Sequence, residues 1–206
     1  MPASERFTAA ISAIDAANAE DPQLVSVDGG VPRPKEVVHA ELVTEWVRRL
    51  DPDAGEPQLL AARAHHLRRW TMPRDAHPPG RAGYLKWRAE AGRRHAREVA
   101  DLLRSHGYDD ATIDRVAAIV RKEGRTRDPQ VQTHEDALCL VFLQTQLRDV
   151  TGRLGEDATV GVVARTLPKM SERAIELAAE LDLDPVARNV LERAVARVAA
   201  GSPQGE

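Results

Sequence analysis

The sequence predicts an all-α fold, a single compact domain built from many helices. Apolar residues recur at helical spacing along nearly the whole chain, and no run alternates with the period of two that marks a half-buried strand. Aromatic residues make up only 3% of the chain, so the core must consist of Ala, Leu, Val and Ile, which suits closely packed helices. At 206 residues the chain is long enough for one well-filled core.

Breaks in the apolar periodicity separate the predicted helices. The stretch 28–34, Pro57 and the Pro78-Pro79-Gly80 segment cannot continue a helix. Gly107 is placed like a C-cap glycine, and Asp128-Pro129 closes the segment before the next helix. The helices are predicted near residues 5–19, 35–50, 57–70, 83–106, 110–123, 133–150, 157–166, 171–181 and 184–199. We expect one domain over residues 1–200 and a flexible tail at 201–206.

Composition narrows the class of protein. The formal net charge of -3 gives no overall attraction to nucleic acid or to a membrane surface, so neither partner is expected. No apolar run approaches the roughly 20 residues that span a bilayer, and the N-terminus lacks the apolar stretch of a signal peptide. Cys139 is the only cysteine and lies in an apolar run, which indicates a buried, reduced thiol. We therefore expect a cytoplasmic protein.

Polar side chains lie on the apolar faces of four predicted helices. His39, His66, His95 and Asp136 each share a helical stripe with apolar residues, so each is expected to point inward. His65 is turned about 100° away from His66 in a helix, so only one of the pair would face the core. These side chains predict a shared polar site.

Each of these residues also has a purely structural interpretation. A buried histidine is often a hydrogen-bonded core residue. Thr133 looks like an N-cap, which would place Asp136 at the position where a carboxylate completes a capping box. His77 and His134 are interpreted as loop or helix-entry residues and His106 as a charge at a helix end. Burying several imidazoles and a carboxylate without partners would cost a few kcal/mol each, which favours the shared site.

The order of these residues resembles the HD superfamily of helical metal-dependent phosphohydrolases, whose pattern is His, then His-Asp, then Asp. The resemblance covers roughly residues 36–140, so an HD-like core is expected at about 36–150, followed by additional helices at about 157–199. It implies that His39, His65, His66 and Asp136 bind metal. Asp136 and His95, which matches an extra histidine of some members, would be the catalytic groups. The chain departs from the pattern in having His66 in place of the aspartate, and Lys122 where two-metal members have another histidine.

A second set of motifs spans nearly the full chain. They are Asp15-Ala-Ala-Asn-Ala-Glu-Asp-Pro, Pro32-Arg-Pro-Lys-Glu, Ala64-His-His-Leu-Arg-Arg-Trp with Pro73-Arg74, Gly83-Tyr-Leu-Lys-Trp-Arg and Glu135-Asp136. These motifs resemble the domain-of-unknown-function family 4202 (DUF4202). This resemblance implies no activity.

The predicted residues favour particular chemistry. A set of several neutral imidazoles with one Asp favours Fe, Zn, Co or Ni over Mg. Such an ion lowers the pKa of a bound water, which is a usual route to hydrolysis of phosphate esters and anhydrides. Without a metal, the same residues are suited to proton transfer or to holding a ligand.

A basic region adjoins the histidine pair. Residues 63–104 hold eleven Lys or Arg against four Asp or Glu. Arginine forks suit phosphate, and aromatic faces suit a planar base. A solvated helix surface with salt bridges is the alternative explanation for about half of these residues. The predicted residues for binding a small anionic or phosphorylated molecule are Arg68, Arg69, Arg74, Arg81, Tyr84 and Arg88.

Three functions therefore remain open. The first is an HD-like metal-dependent phosphohydrolase acting on a small phosphorylated or nucleotide-like substrate. The second is a non-catalytic helical module that binds an anionic ligand or a protein partner and has lost metal binding. The third is a homodimer formed through the C-terminal helices. The apolar residues of that dimer surface would be Val162, Ile175, Leu181, Val190 and Val195.

Overall fold

The computed structural model of the protein describes residues 4–26 and 30–201. Helices dominate these residues, which confirms the all-α fold. Their bounds are α1 Glu5–Asn18, α2 Lys35–Leu50, α3 Glu56–Ala64, α4 Gly80–Ser105, α5 Asp110–Arg121, α6 Pro129–Thr145, α7 Leu147–Leu154, α8 Glu156–Ala164, α9 Glu172–Ala179 and α10 Pro185–Gly201. Three 3-10 helices span Arg69–Thr71, Arg74–Ala76 and Leu167–Lys169.

Two short strands precede α2. β1 Leu24–Val25 pairs antiparallel with β2 Arg33–Pro34, with Leu24 opposite Pro34. Of the break predicted at 28–34, residues 28 and 29 lie outside the described residues. Of the predicted tail, residues 202–206 also lie outside them, while Gly201 is the last residue of α10. Within the described residues, no helix combines the length and the apolar character needed to cross a membrane.

Contacts divide the chain into a first unit, Met1–His134, and a second unit, Glu135–Glu206, so that α6 contains the boundary. The predicted organisation as one domain over residues 1–200 stays a prediction.

In the first unit, α3 packs against α1, α2 and α5, and α4 packs against α5 and α1. The core between them contains fully buried Ile14, Leu60, Leu103 and Ile119. Burying each such side chain contributes about 1.5–3 kcal/mol, which gives the polar site described below a rigid apolar support.

In the second unit, α8 packs against α7 and α10. Cys139 is buried, as predicted. Leu181 and Val190, two residues expected on a dimer surface, are buried inside this unit, whereas Val195 is 41% exposed. The two buried residues follow the apolar stripe of their own unit, so the expectation that they form a surface was wrong. The dimer itself stays a prediction.

The third predicted helix, 57–70, is shorter than expected. α3 ends at Ala64, the chain continues in turns, and Arg68 adopts a left-handed conformation with φ 49°. Apolar periodicity alone does not reveal this ending, since Leu67 is still fully buried. The predicted helix 133–150 also differs, because α6 begins at Pro129 and a break at Gln146 separates it from α7.

Candidate functional site

Five imidazoles form a cluster in the first unit, hereafter the histidine cluster: His39 on α2, His65 and His66 after α3, His95 on α4 and His134 on α6. The His39 and His66 rings stack at 4.3 Å with an interplanar angle of 10°. The His65 ring lies 4.7 Å from that of His66 and 4.8 Å from that of His134. The His66 and His95 rings are 6.0 Å apart. The structure thus brings together all four predicted histidines.

His65 and His66 both join the cluster, so the expectation that only one of them would face inward was wrong. The 100° separation of adjacent residues holds only within a helix, and α3 ends at Ala64, before both of them. The turn that follows is held by the Arg68 backbone N–H, which donates to the Asn18 side-chain oxygen at 3.2 Å. Ending the helix early is therefore what places two consecutive imidazoles in one site.

His134 was missed, because its interpretation as a helix-entry residue was wrong. The Asp128 carboxylate accepts hydrogen bonds from the Gln130 and Val131 backbone N–H groups, so α6 starts at Pro129. His134 is consequently inside the helix, three residues after buried Val131, and is itself only 1% exposed. An Asp N-cap followed by Pro is a common helix start, and this signal in the sequence would have found it.

Three hydrogen bonds orient four of the rings. His95 Nδ1 lies 3.0 Å from the Leu67 carbonyl oxygen and must donate to it, which leaves His95 Nε2 with a lone pair. His134 Nε2 and His65 Nδ1 are 3.0 Å apart, so one donates to the other. His66 Nδ1 lies 3.1 Å from Glu36 Oε2. Within the described part of the chain, His39 Nε2 and His95 Nε2 are buried and have no hydrogen-bond partner.

The cluster is uncharged at neutral pH. Burial lowers the pKa of His39 to about 3, that of His95 to about 4 and that of His134 to about 3. Burial likewise lowers the pKa of His65 and of His66 well below the ordinary value, and neighbouring imidazoles add to the effect. Neutral imidazoles keep the nitrogen lone pairs that bind metal ions or accept protons.

Glu36 is the carboxylate of the site, and sequence reasoning also missed it. Its side chain is buried, and burial raises its pKa to about 7 although Arg69 and Lys35 act in the opposite direction. Burial disfavours charge on both partners, so the Glu36–His66 contact is a hydrogen bond rather than an ion pair. Glu36 lies three residues before His39, so both share one face of α2, but only the contact with His66 shows that Glu36 belongs to the site.

Arg69 borders the cluster. Its guanidinium lies 4.6 Å from the centre of the Trp87 ring and is partly buried, and burial lowers its pKa while Glu36 raises it. Among the described residues it makes no hydrogen bond or ion pair through its side chain. A desolvated cation without a carboxylate partner is suited to binding an anion.

The other predicted anion-binding residues lie in different settings. Arg74 donates to the carbonyl oxygens of His77, Pro78 and Gly80, so its guanidinium holds the loop before α4. Arg68 is partly buried in the turn after α3. Arg81, Tyr84 and Arg88 are exposed on α4. Arg69 and Tyr84 both lie beside the Trp87 ring, since the Arg69 guanidinium is 4.6 Å and the Tyr84 ring 6.0 Å from its centre. Arg88 is the next residue after Trp87 on α4.

Asp136 lies in the second unit, where its Oδ1 accepts a hydrogen bond from the Ser171 backbone N–H at 2.9 Å. The capping-box explanation for it was wrong, since Thr133 is inside α6 and its hydroxyl donates to the Pro129 carbonyl. Its role as a metal ligand and catalytic group stays a prediction.

The nitrogen atoms of the histidine cluster are of the kind that binds metal ions. Neutral imidazoles with buried, unpartnered nitrogens are suitable ligands. As the rings stand in the described residues, however, no group of three or more His, Cys, Asp or Glu side chains is arranged around a metal position. Since the His39 and His66 rings are stacked, binding one ion by both requires at least one ring to rotate.

Comparison with known proteins identifies a family. The model of a family described as "Domain of unknown function (DUF4202)" matches residues 8–191. No curated protein and no solved structure matches the chain.

Proposed function

Since the chain belongs to the DUF4202 family, whose description names no activity, we propose a function from the site itself. The protein is a metal-dependent hydrolase of the phosphohydrolase type, acting on a small phosphorylated or nucleotide-like substrate at the histidine cluster. The order of residues 39, 65, 66 and 136 resembles the pattern of the HD superfamily, and we include this resemblance in the proposal.

One observation carries the proposal. His39 and His95 each bury an Nε2 atom that has no hydrogen-bond partner in the described part of the chain. An unsatisfied buried polar atom costs about 1–3 kcal/mol, and two of them beside the stacked His66 ring favour a bound group that uses their lone pairs. We assign His39, His66 and His95 as the ligands of a divalent ion.

The surrounding residues match the outer contacts of a metal site. Metal-binding histidines usually donate their second N–H to a carboxylate or a backbone carbonyl, which fixes the ring and raises its basicity. His95 donates to the Leu67 carbonyl, and His66 lies against Glu36. Because the proposed ligands are neutral nitrogens, the ion expected is Fe, Zn, Co or Ni rather than Mg.

The remaining residues have separate roles. A bound divalent ion would supply the positive charge that polarises a phosphoryl oxygen. Arg69 holds the anionic group beside the cluster, and His65, held by its hydrogen bond to His134, accepts the proton of the attacking water. In the overall reaction the water oxygen bonds to phosphorus, the bond from phosphorus to the leaving oxygen breaks, and that oxygen takes a proton from solvent.

Elemental analysis tests the ligand assignment. The protein is purified without added metal or chelator, together with His66→Ala, His95→Ala, His65→Ala and the control His106→Ala, whose ring lies at the end of α4 outside the cluster. We expect close to one equivalent of metal in wild type, His65→Ala and His106→Ala, and its loss from His66→Ala and His95→Ala. Asp136→Ala in the same series tests whether that carboxylate is also a ligand. Circular dichroism verifies that each variant is folded.

A non-catalytic binding module is the second candidate, and the lack of a preformed metal arrangement in the described residues favours it. It predicts that wild type stays metal-free after incubation with Zn²⁺ or Co²⁺, and that phosphate or nucleotide still raises its stability. That result would overturn the hydrolase proposal. Hydrolysis of phosphorylated small molecules by the metal-loaded protein would support it. A cytoplasmic location, where the single thiol of Cys139 stays reduced, belongs to the same proposal.

A further inference from the structure

One face of α4 leads from the protein surface to the histidine cluster. Tyr84, Arg88, Ala91 and His95 follow one another at spacings of four, three and four residues, so they share a face of the helix. Tyr84 and Arg88 are exposed, whereas Ala91 and His95 are 4% and 3% exposed. Seven residues separate Arg88 from His95, which corresponds to about 10 Å along the helix. This face therefore connects solvent with the proposed reaction site.

Arg69 is fixed beside the same face. Its guanidinium lies over the ring of Trp87 at 4.6 Å. The indole N–H of Trp87 donates to the Met72 carbonyl oxygen at 2.9 Å, which holds the ring in place. Trp87 is 7% exposed, and the Tyr84 ring lies 6.0 Å from it and remains 43% exposed. A buried indole thus holds a cation next to an accessible aromatic ring.

The two arginines beside this face have no directly bonded partner among the described residues. Neither Arg69 nor Arg88 forms an ion pair or a side-chain hydrogen bond within the described residues. Two guanidinium groups repel each other, and partial burial of Arg69 strengthens that repulsion. An anion bound to both would relieve it, and adjacent phosphates offer each fork its own set of acceptor oxygens.

We propose that Arg69 and Arg88 form an anion subsite, hereafter the arginine subsite, that binds a diphosphate group, while Tyr84 stacks on a planar ring attached to it. The ligand class is a nucleoside diphosphate or a larger phosphoanhydride of the same kind. Binding at the arginine subsite does not depend on the proposed reaction. The inference rests on the proposed function only in placing the reactive end of the ligand at the histidine cluster.

Calorimetric titration of metal-free, chelator-treated protein tests the arginine subsite. The probes are ADP, AMP, adenosine and inorganic pyrophosphate. We expect ADP to bind more tightly than AMP, and adenosine to bind too weakly to measure. Arg88→Ala and Arg69→Gln should weaken ADP binding by roughly tenfold each, the factor that corresponds to about 1.4 kcal/mol. Tyr84→Ala should weaken ADP but leave pyrophosphate unchanged, and Tyr84→Phe should behave as wild type.

Arg97→Ala is the matched control. Arg97 is exposed on α4 nine residues after Arg88, which places it on the opposite side of the helix. We expect Arg97→Ala to bind ADP as wild type does. Equal losses in Arg97→Ala and Arg88→Ala would show nonspecific attraction, and absence of binding by ADP and pyrophosphate would reject the subsite; either result overturns the proposal. Since no metal is present, failure of the proposed metal site leaves this measurement unaffected.

Discussion

Replacing His134 by glutamine should make the protein less sensitive to acid. His134 is 1% exposed, and burial lowers its pKa from 6.5 to about 3. Between pH 8 and pH 5 the unfolded chain binds a proton on this imidazole while the folded chain does not. Because the unfolded state binds more protons, stability falls as the pH falls. Between pH 6.5 and pH 5 the free energy of unfolding falls by about 1.4 kcal/mol per pH unit, which is about 2 kcal/mol in total.

Urea unfolding at pH 8 and at pH 5, with chelator present, measures this loss. His134→Gln lacks the titrating ring but keeps an amide that can hydrogen-bond to His65. We expect its free energy of unfolding to drop by about 2 kcal/mol less than that of wild type over the same pH range. His106→Gln removes an imidazole outside the cluster and should follow wild type more closely. If His134→Gln loses as much stability as wild type, the cluster is not kept neutral by burial, and the assignment of neutral imidazole ligands fails with it.

Two further perturbations follow from the site and its support. Glu36→Gln should raise the free energy of unfolding relative to wild type, and this gain should be about 2 kcal/mol larger at pH 8 than at pH 5. Burial raises the pKa of Glu36 to about 7 in the folded chain, so wild type loses stability as the pH rises toward that value, and the glutamine variant does not. Equal differences in urea unfolding at the two pH values would contradict this. Gly83→Ala should lower the melting temperature, since a Cβ there would lie 1.9 Å from the Pro78 carbonyl oxygen. Gly92→Ala on the same helix meets no atom within 4 Å and should instead stabilise by up to about 1 kcal/mol. A similar change in both glycine variants would show that the clash is relieved by movement of the loop.

The sequence predicted most of the fold because helical periodicity and breaking residues mark it directly. α2 occupies Lys35–Leu50, the predicted range, and α5 starts at Asp110, as predicted. Inward-facing histidines were recognised for the same reason, since His39 and His95 lie on buried stripes of continuous helices.

Two features were not predicted: the residue at which α3 ends, and a contact between residues far apart in the sequence. The end of α3 at Ala64 carries no Gly or Pro, and the left-handed residue is Arg68. The role of Glu36 depends on its contact with His66, thirty residues away. An acidic residue in a first helical turn is otherwise explained by the helix dipole, so its chemical role becomes visible only when both segments are placed.

The turn after α3 also determines how the site opens. Residues 65–72 lie in turns and one 3-10 helix between α3 and α4, and such segments unfold locally at lower free energy than packed helices. One local opening of this turn would displace His65, His66 and Arg69 together, because all three belong to it. Hydrogen exchange should therefore show the amides of this turn exchanging as a group, and all of them slowing when a ligand binds. Binding at the site is then coupled to the order of one short segment.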